Sequence, residues 1–127
     1  MIDHVSIAVR DLKAAEAFYT VLLAPLGLSK LREWPDAAVG YGKKYPEFWI
    51  NLRANRVSTG GDSGAHVCLR APSTQAVDAF HAAAVANGGT SDGAPGLRSE
   101  YHDRYYAAFV VDADGNRVEA VTFIDAK

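Results

Sequence analysis

His4 and His66 stand 62 positions apart in a chain of 127 residues. Each opens a similar segment: His4-Val5-Ser6-Ile7-Ala8-Val9 and His66-Val67-Cys68-Leu69-Arg70-Ala71. Near the other end, Arg117-Val118-Glu119-Ala120-Val121 carries a single carboxylate within another alternating segment. Successive residues of a strand point to opposite faces, so His4 shares a face with Ser6 and Ala8, His66 with Cys68 and Arg70, and Glu119 with Arg117 and Val121. The opposite faces are apolar and suit a covering layer of helices. Two imidazoles and a carboxylate form the ligand set of a facial triad. Such donors suit divalent Fe, Mn, Ni or Zn, and three protein ligands leave positions open for water or substrate.

Two copies of one module would position these residues. Residues 2–9 read as a strand. Asp11 caps a helix whose apolar face is Ala15, Phe18, Tyr19, Leu22 and Leu26, and Pro25 and Gly27 end it. Residues 28–34, 37–42 and 47–52 are three further strands. The order then repeats. Residues 65–70 form a strand, Ser73 or Thr74 caps a helix carrying Val77, Phe80, His81 and Ala84 inward, and Gly88-Gly89 stop it. Residues 90–96 read as a glycine-rich loop. Residues 105–111 and 117–124 read as strands joined through Asp114-Gly115, a type I′ hairpin signal. His4/His66, Phe18/Phe80 and Gly27/Gly89 share the offset of 62, and 49–52 matches 117–120 at an offset of 68. One domain over 1–127 is expected, with module 1 at 1–54, a Ser/Gly-rich linker at 55–64 and module 2 at 65–127.

Composition excludes several classes. The chain is 49% hydrophobic and 22% charged with a formal net charge of −2, so it is an ordinary globular sequence without the basic excess of a nucleic-acid binder. No apolar run approaches the roughly 18 residues that span a membrane. Cys68 is the only cysteine, which excludes an internal disulfide. With no secretory signal at the N-terminus, a cytoplasmic location is expected. Asp112-Ala113-Asp114-Gly115-Asn116 is not a calcium loop, because its glycine comes too early and no glutamate falls at the twelfth position.

The segments Asp3-His4-Val5-Ser6-Ile7-Ala8-Val9, His66-Val67 and Asp112-Ala113-Asp114-Gly115-Asn116-Arg117-Val118-Glu119 resemble the vicinal oxygen chelate superfamily over the whole chain. That superfamily includes glyoxalase I, fosfomycin resistance proteins, extradiol dioxygenases, methylmalonyl-CoA epimerase and the metal-free bleomycin resistance proteins. The resemblance implies an α+β fold of two tandem βαβββ modules whose curved mixed sheet surrounds a cavity. It also implies a divalent metal (Mn, Fe, Ni or Zn) on His4, His66 and Glu119. The fourth equivalent position falls on Asn51, as a weak ligand or a substrate hydrogen-bonder. Asn51 cannot be a general base, which argues against a glyoxalase I reaction.

The implied chemistry is Lewis-acid chelation of a small oxygenated substrate, with Glu119, His102 and Tyr106 as catalytic candidates. Trp49, Asn51, Arg53, Arg70, Tyr101 and Tyr105 are candidates for substrate binding, and Arg98 and Arg117 could also meet an anionic group. Cys68 reads as a small filler and His81 as a packing residue. A homodimer is expected, with no nucleic-acid or membrane partner, because short edge strands need covering. The cavity could form within one chain or across two. The alternative function is a metal-free, drug-sequestering protein of the bleomycin-resistance type.

Overall fold

The computed structural model describes residues 1–57 and 62–125; part of the expected linker, 58–61, and the last two residues of module 2 lie outside the described residues. The first module runs β1 (Val5–Val9), α1 (Leu12–Leu23), a 3₁₀ turn (Ala24–Leu26), β2 (Ser29–Trp34), β3 (Ala38–Gly42) and β4 (Phe48–Leu52). The second runs β5 (His66–Arg70), α2 (Thr74–Ala86), β6 (Thr90–Leu97), β7 (Tyr105–Val111) and β8 (Arg117–Phe123). This is the expected α+β architecture of two βαβββ modules. Each module makes its own four-stranded mixed sheet, ordered β1-β4-β3-β2 and β5-β8-β7-β6. In both, the first strand pairs in parallel with the last, and the remaining pairs are antiparallel.

The helices begin as their capping residues dictate. Asp11 Oδ1 accepts from the Ala14 amide at 3.1 Å, and Ser73 Oγ accepts from the Ala76 amide at 3.1 Å. Gly27 ends the 3₁₀ turn at φ 82°, a conformation that glycine adopts without a Cβ clash. Helix α1 turns Phe18, Tyr19, Leu22 and Leu23 inward, and α2 turns Val77, Phe80 and Ala84 inward. They meet the apolar strand faces, where Val9, Phe48, Ile50, Val118 and Ala120 are all buried. The helices also pack on each other, so the core is continuous through both modules. The opposite face of each sheet, here called its outer face, carries His66, Cys68 and Arg70 on β5 and Ser6 on β1, all exposed. No described helix is long and apolar enough to cross a membrane.

Two local expectations change. Residues 90–97 form the strand β6 rather than a glycine-rich loop. Its register against β7 shifts at Ser91/Gly93 and again at Gly93/Gly96, and such bulges break the period-two alternation by which a strand is recognised. The turn after β7 is not type I′. Only Gly115 has a positive φ, of 85°, and its amide donates to the Asp112 carbonyl. This is a tight turn followed by a left-handed glycine, the form that adds a bulge to the hairpin.

That turn locks the modules together. Asp112, 8% exposed, accepts from the Tyr19 hydroxyl of α1 at 2.6 Å, from the Asp114 and Asn116 amides, and from Asn116 Nδ2. Arg10 donates to Asp114 Oδ1 through its backbone amide and its Nε, and Asn116 Nδ2 also donates to the Ala8 carbonyl. Burial and the adjacent Asp112 raise the Tyr19 pKa well above its ordinary value. The folded protein therefore holds this proton at pH values where the unfolded chain releases it. The resulting stabilisation is complete below about pH 10 and is lost as pH rises above it. Tyr19→Phe should cost about 1–3 kcal/mol at neutral pH, since it removes a buried donor to a carboxylate. It should also flatten the alkaline fall in stability. Urea unfolding of both proteins at neutral and alkaline pH checks this; an equal alkaline fall would refute the assignment.

Candidate active site

Strands β5 and β8 lie side by side with Cys68 opposite Glu119 and His66 opposite Arg117. His66 and Glu119 are thus diagonal neighbours on one face, and His66 Nε2 lies 3.2 Å from Glu119 Oε1. Glu119 is buried, 2% exposed, although it sits on the outer face. Its second oxygen, Oε2, accepts a hydrogen bond from the Tyr105 hydroxyl on β7. A buried carboxylate is tolerated only when its lone pairs are met, and these two partners meet them. The Cys68 sulfur lies 3.9 Å from the same tyrosine hydroxyl.

The electrostatics assign roles to these groups. Burial first, and then the hydrogen bond to Glu119, raise the Tyr105 pKa far above the ordinary range. Tyr105 therefore keeps its proton at neutral pH and acts as a donor rather than a base. Desolvation and the Glu119 charge push the Cys68 thiol up to about 12, so it is not a thiolate nucleophile.

An open cavity of about 530 Å³ lies over this face, bordered by His66, Gly93, Arg98, Tyr101, Tyr105, Phe109, Arg117 and Glu119. Its aromatic wall continues beyond the border. Tyr101 and Phe123 both meet the Tyr105 ring edge-on, with centroids 5.2 and 5.4 Å away. The Arg70 guanidinium lies 4.8 Å from the Phe123 centroid. His102 reaches the edge of this cluster, 5.9 Å from Phe123, and its Nδ1 accepts from the Arg104 amide.

Not every candidate residue is brought to this cavity. Tyr106 lies on the helix side of β7, where its hydroxyl donates to Asp78 of α2 at 2.6 Å. It is displaced from the site by strand parity alone, since Tyr105 takes the outer face. His81 is bonded to Ser91 Oγ at 2.8 Å, which fits a packing role. Trp49 and Asn51 belong to the other sheet, and Arg53 directly follows it, its guanidinium donating to its neighbour's carbonyl, Leu52 O. His4 is also on the first module; it is exposed and its Nδ1 lies 2.8 Å from Asp3 Oδ1. Among the described residues, no three His, Cys, Asp or Glu side chains gather closely enough to hold a metal ion. His66 and Glu119 are brought together; His4 is not beside them within one chain.

The strand registers also correct the fourth equivalent position. Cys68 pairs with Glu119, and the matching residue Ser6 pairs with Trp49. Trp49 therefore stands where Glu119 stands, at an offset of 70 rather than 68. Asn51 lies two residues further, opposite Ala8. A slip of two residues keeps every side chain on the same face, so an alignment based on alternation could not detect it. A Cβ added at Gly40 would come within 3.0 Å of the Trp49 indole, so the glycine makes room for the ring. The first module thus presents an aromatic surface where the second presents a carboxylate.

Residues 1–120 match the family model described as the Glyoxalase/Bleomycin resistance protein/Dioxygenase superfamily. Among curated proteins no sequence matches the chain. A glyoxalase/bleomycin resistance protein from Albidiferax ferrireducens is 34% identical, with a TM-score of 0.78 over 94% of this chain and 95% of that one. A lactoylglutathione lyase from Agrobacterium tumefaciens is similar in fold, at 20% identity and a TM-score of 0.64 over 95% and 92% of the two chains. So is a mutant of the fosfomycin resistance protein FosX from Listeria monocytogenes, solved with Mn(II) and 1S,2S-dihydroxypropylphosphonic acid. It is 14% identical, with a TM-score of 0.68 over 94% of this chain and 87% of that one.

The contact between Tyr105 and Glu119 can be measured apart from any activity. Tyr105→Phe leaves a buried carboxylate oxygen without its donor and should destabilise the protein by about 1–3 kcal/mol. In the Glu119→Gln background the same substitution should cost less, giving a nonzero coupling energy in a double-mutant cycle read by urea unfolding. Strict additivity of the two changes would mean that the hydroxyl does not hold Glu119.

Proposed function

Because the chain belongs to the glyoxalase/bleomycin resistance protein/dioxygenase superfamily, we propose that it is a divalent-metal-dependent enzyme acting on a small oxygenated substrate. The single observation that carries this reading is the convergence of His66 and Glu119, 3.2 Å apart, on the border of a cavity. The donor chemistry fits a divalent cation. An imidazole nitrogen and a carboxylate oxygen lie side by side on the cavity border, and both are donor types suited to divalent Mn, Fe, Ni or Zn. His66 and Glu119 would supply two of three ligands. His4 of the partner subunit would supply the third, in a homodimer that sets the outer face of one module against that of the other. This arrangement accounts for His4 standing apart from Glu119 in a single chain and for the exposed outer faces.

When bound, such an ion supplies Lewis-acid stabilisation of negative charge developing on a substrate oxygen. The chain's own residues do the rest. Tyr105 donates to Glu119 Oε2 and leaves Oε1 directed toward His66. The aromatic wall of Tyr101, Tyr105 and Phe123 limits water at one end of the cavity. His102 lies at the edge of that wall and is the candidate to move a substrate proton. Trp49 at the fourth position adds an apolar surface instead of a ligand or a base, which separates this site from a glyoxalase I arrangement. The reaction falls within the lyase, isomerase, transferase and dioxygenase chemistry that the scaffold supports. The lone cysteine suits a reducing compartment such as the cytoplasm.

The aromatic surfaces favour one second reading, a metal-free protein that sequesters an aromatic compound. Metal analysis separates the two. Protein purified without chelator, or reconstituted with Mn, Fe, Ni or Zn, should hold metal that His66→Ala and Glu119→Gln lose. Mixing unfolded His4→Ala and His66→Ala chains and refolding them should restore about a quarter of the wild-type metal. Random pairing makes half of the dimers mixed, and each mixed dimer has one intact site. No metal in the reconstituted wild type would end the enzyme reading, and no recovery on mixing would end the shared site.

A further inference from the structure

One cation on the border of the cavity is held in a fitted position with no ion-pair partner among the described residues. The Arg98 guanidinium lies over the Phe109 ring, 5.4 Å from its centroid, and Nη2 donates to the Ala94 carbonyl at 2.5 Å. Two glycines of β6 make its seat. A Cβ built at Gly93 would come within 3.2 Å of Arg98 Nη2 and 2.8 Å of the Phe109 ring, and one at Gly96 would come within 3.1 Å of Nη1. The two irregularities of β6 occur at these same glycines, so the strand is bent where the guanidinium lies.

Most of the neighbouring charges are matched, and one further carboxylate, Glu100, also borders the cavity. Arg117 pairs with Asp92 and Asp62, and Glu119 is met by His66 and Tyr105. Among the described residues, Arg98 has no carboxylate within ion-pair distance. A guanidinium stacked on an aromatic ring and bonded through one nitrogen has lost most of its rotamer freedom, and its remaining N–H groups form a ready fork for two oxygens. Only a planar group fits flat against the ring and the glycine backbone, so lysine would not reproduce the arrangement.

We propose that Arg98, seated on Phe109 by Gly93 and Gly96, is the anion-binding residue of this cavity, and that the substrate carries a carboxylate or phosphoryl-type group beside the oxygens presented to His66 and Glu119. This names the substrate class of the site and rests on the cavity being the substrate site. Its test does not pass through the metal. Arginine Nε–H signals of ¹⁵N-labelled protein are followed during titration with methylphosphonate, with and without chelator. The Arg98 signal, identified by its disappearance in Arg98→Lys, should move saturably, while the signals of Arg70 and Arg117 should not. Acetamide, and sodium chloride at equal ionic strength, should leave it in place. Gly96→Ala, which crowds the guanidinium but keeps the charge, should weaken methylphosphonate binding by about tenfold, as should Arg98→Met. Should Arg98→Met fail to fold, Gly96→Ala and the wild-type titration still decide. No saturable shift, an equal shift with chloride, or unchanged binding in Gly96→Ala would overturn the proposal. A protein that binds methylphosphonate but never holds metal would overturn only the enzyme reading.

Discussion

A single buried carboxylate, Asp112, holds the two halves of this protein in one geometry. It gathers a hydroxyl from α1, two backbone amides of its own turn and the side-chain amide of Asn116. Each of these alone is an ordinary hydrogen bond. Together they shape the turn that delivers β8, and β8 carries Glu119. They also fasten that turn to the first module through Tyr19, while Asn116 reaches the end of β1 at Ala8. An uncompensated charge here would be costly, so the loop, the helix and the strand end must all be in place together.

From that junction the duplicated modules diverge. Each sheet covers its apolar face with a helix and leaves its other face for chemistry, but the two outer faces are not equivalent. The second holds a carboxylate with an imidazole and a phenol arranged around it. The first holds an indole on a glycine at the matching place. One copy therefore carries most of the polar machinery, and the other carries an aromatic surface and a lone histidine. A homologous pair of sheets has become a pair of unlike walls.

Much of this was legible in the sequence, for stated physical reasons. The helix caps Asp11 and Ser73, the apolar strand faces and the sharing of a face by His66, Cys68 and Arg70 all follow from local periodicity. The belonging of Glu119 beside His66 follows from the repeated motifs. What escaped depends on register and on long-range contact. The strand β6 was hidden because its glycines break the alternation. Alternation alone points to Asn51 as the fourth position, because a two-residue slip leaves the pattern intact. Tyr105 and Tyr106 are adjacent, and only the register against β8 tells which of them faces Glu119. The acidic turn reads locally only as a hairpin, because its partners on α1 and β1 lie about a hundred positions away and leave no local trace.

Both modules close by laying the first strand against the last, in parallel. Glu119 and His66 are 53 residues apart and meet only across that closure. Antiparallel hairpins such as β7–β8 can form early from near neighbours, whereas the parallel pair waits for the whole module to collapse. Partially folded chains therefore display scattered histidines and carboxylates but no convergent pair. The His66–Glu119 contact is therefore a mark of completed topology rather than of any local segment.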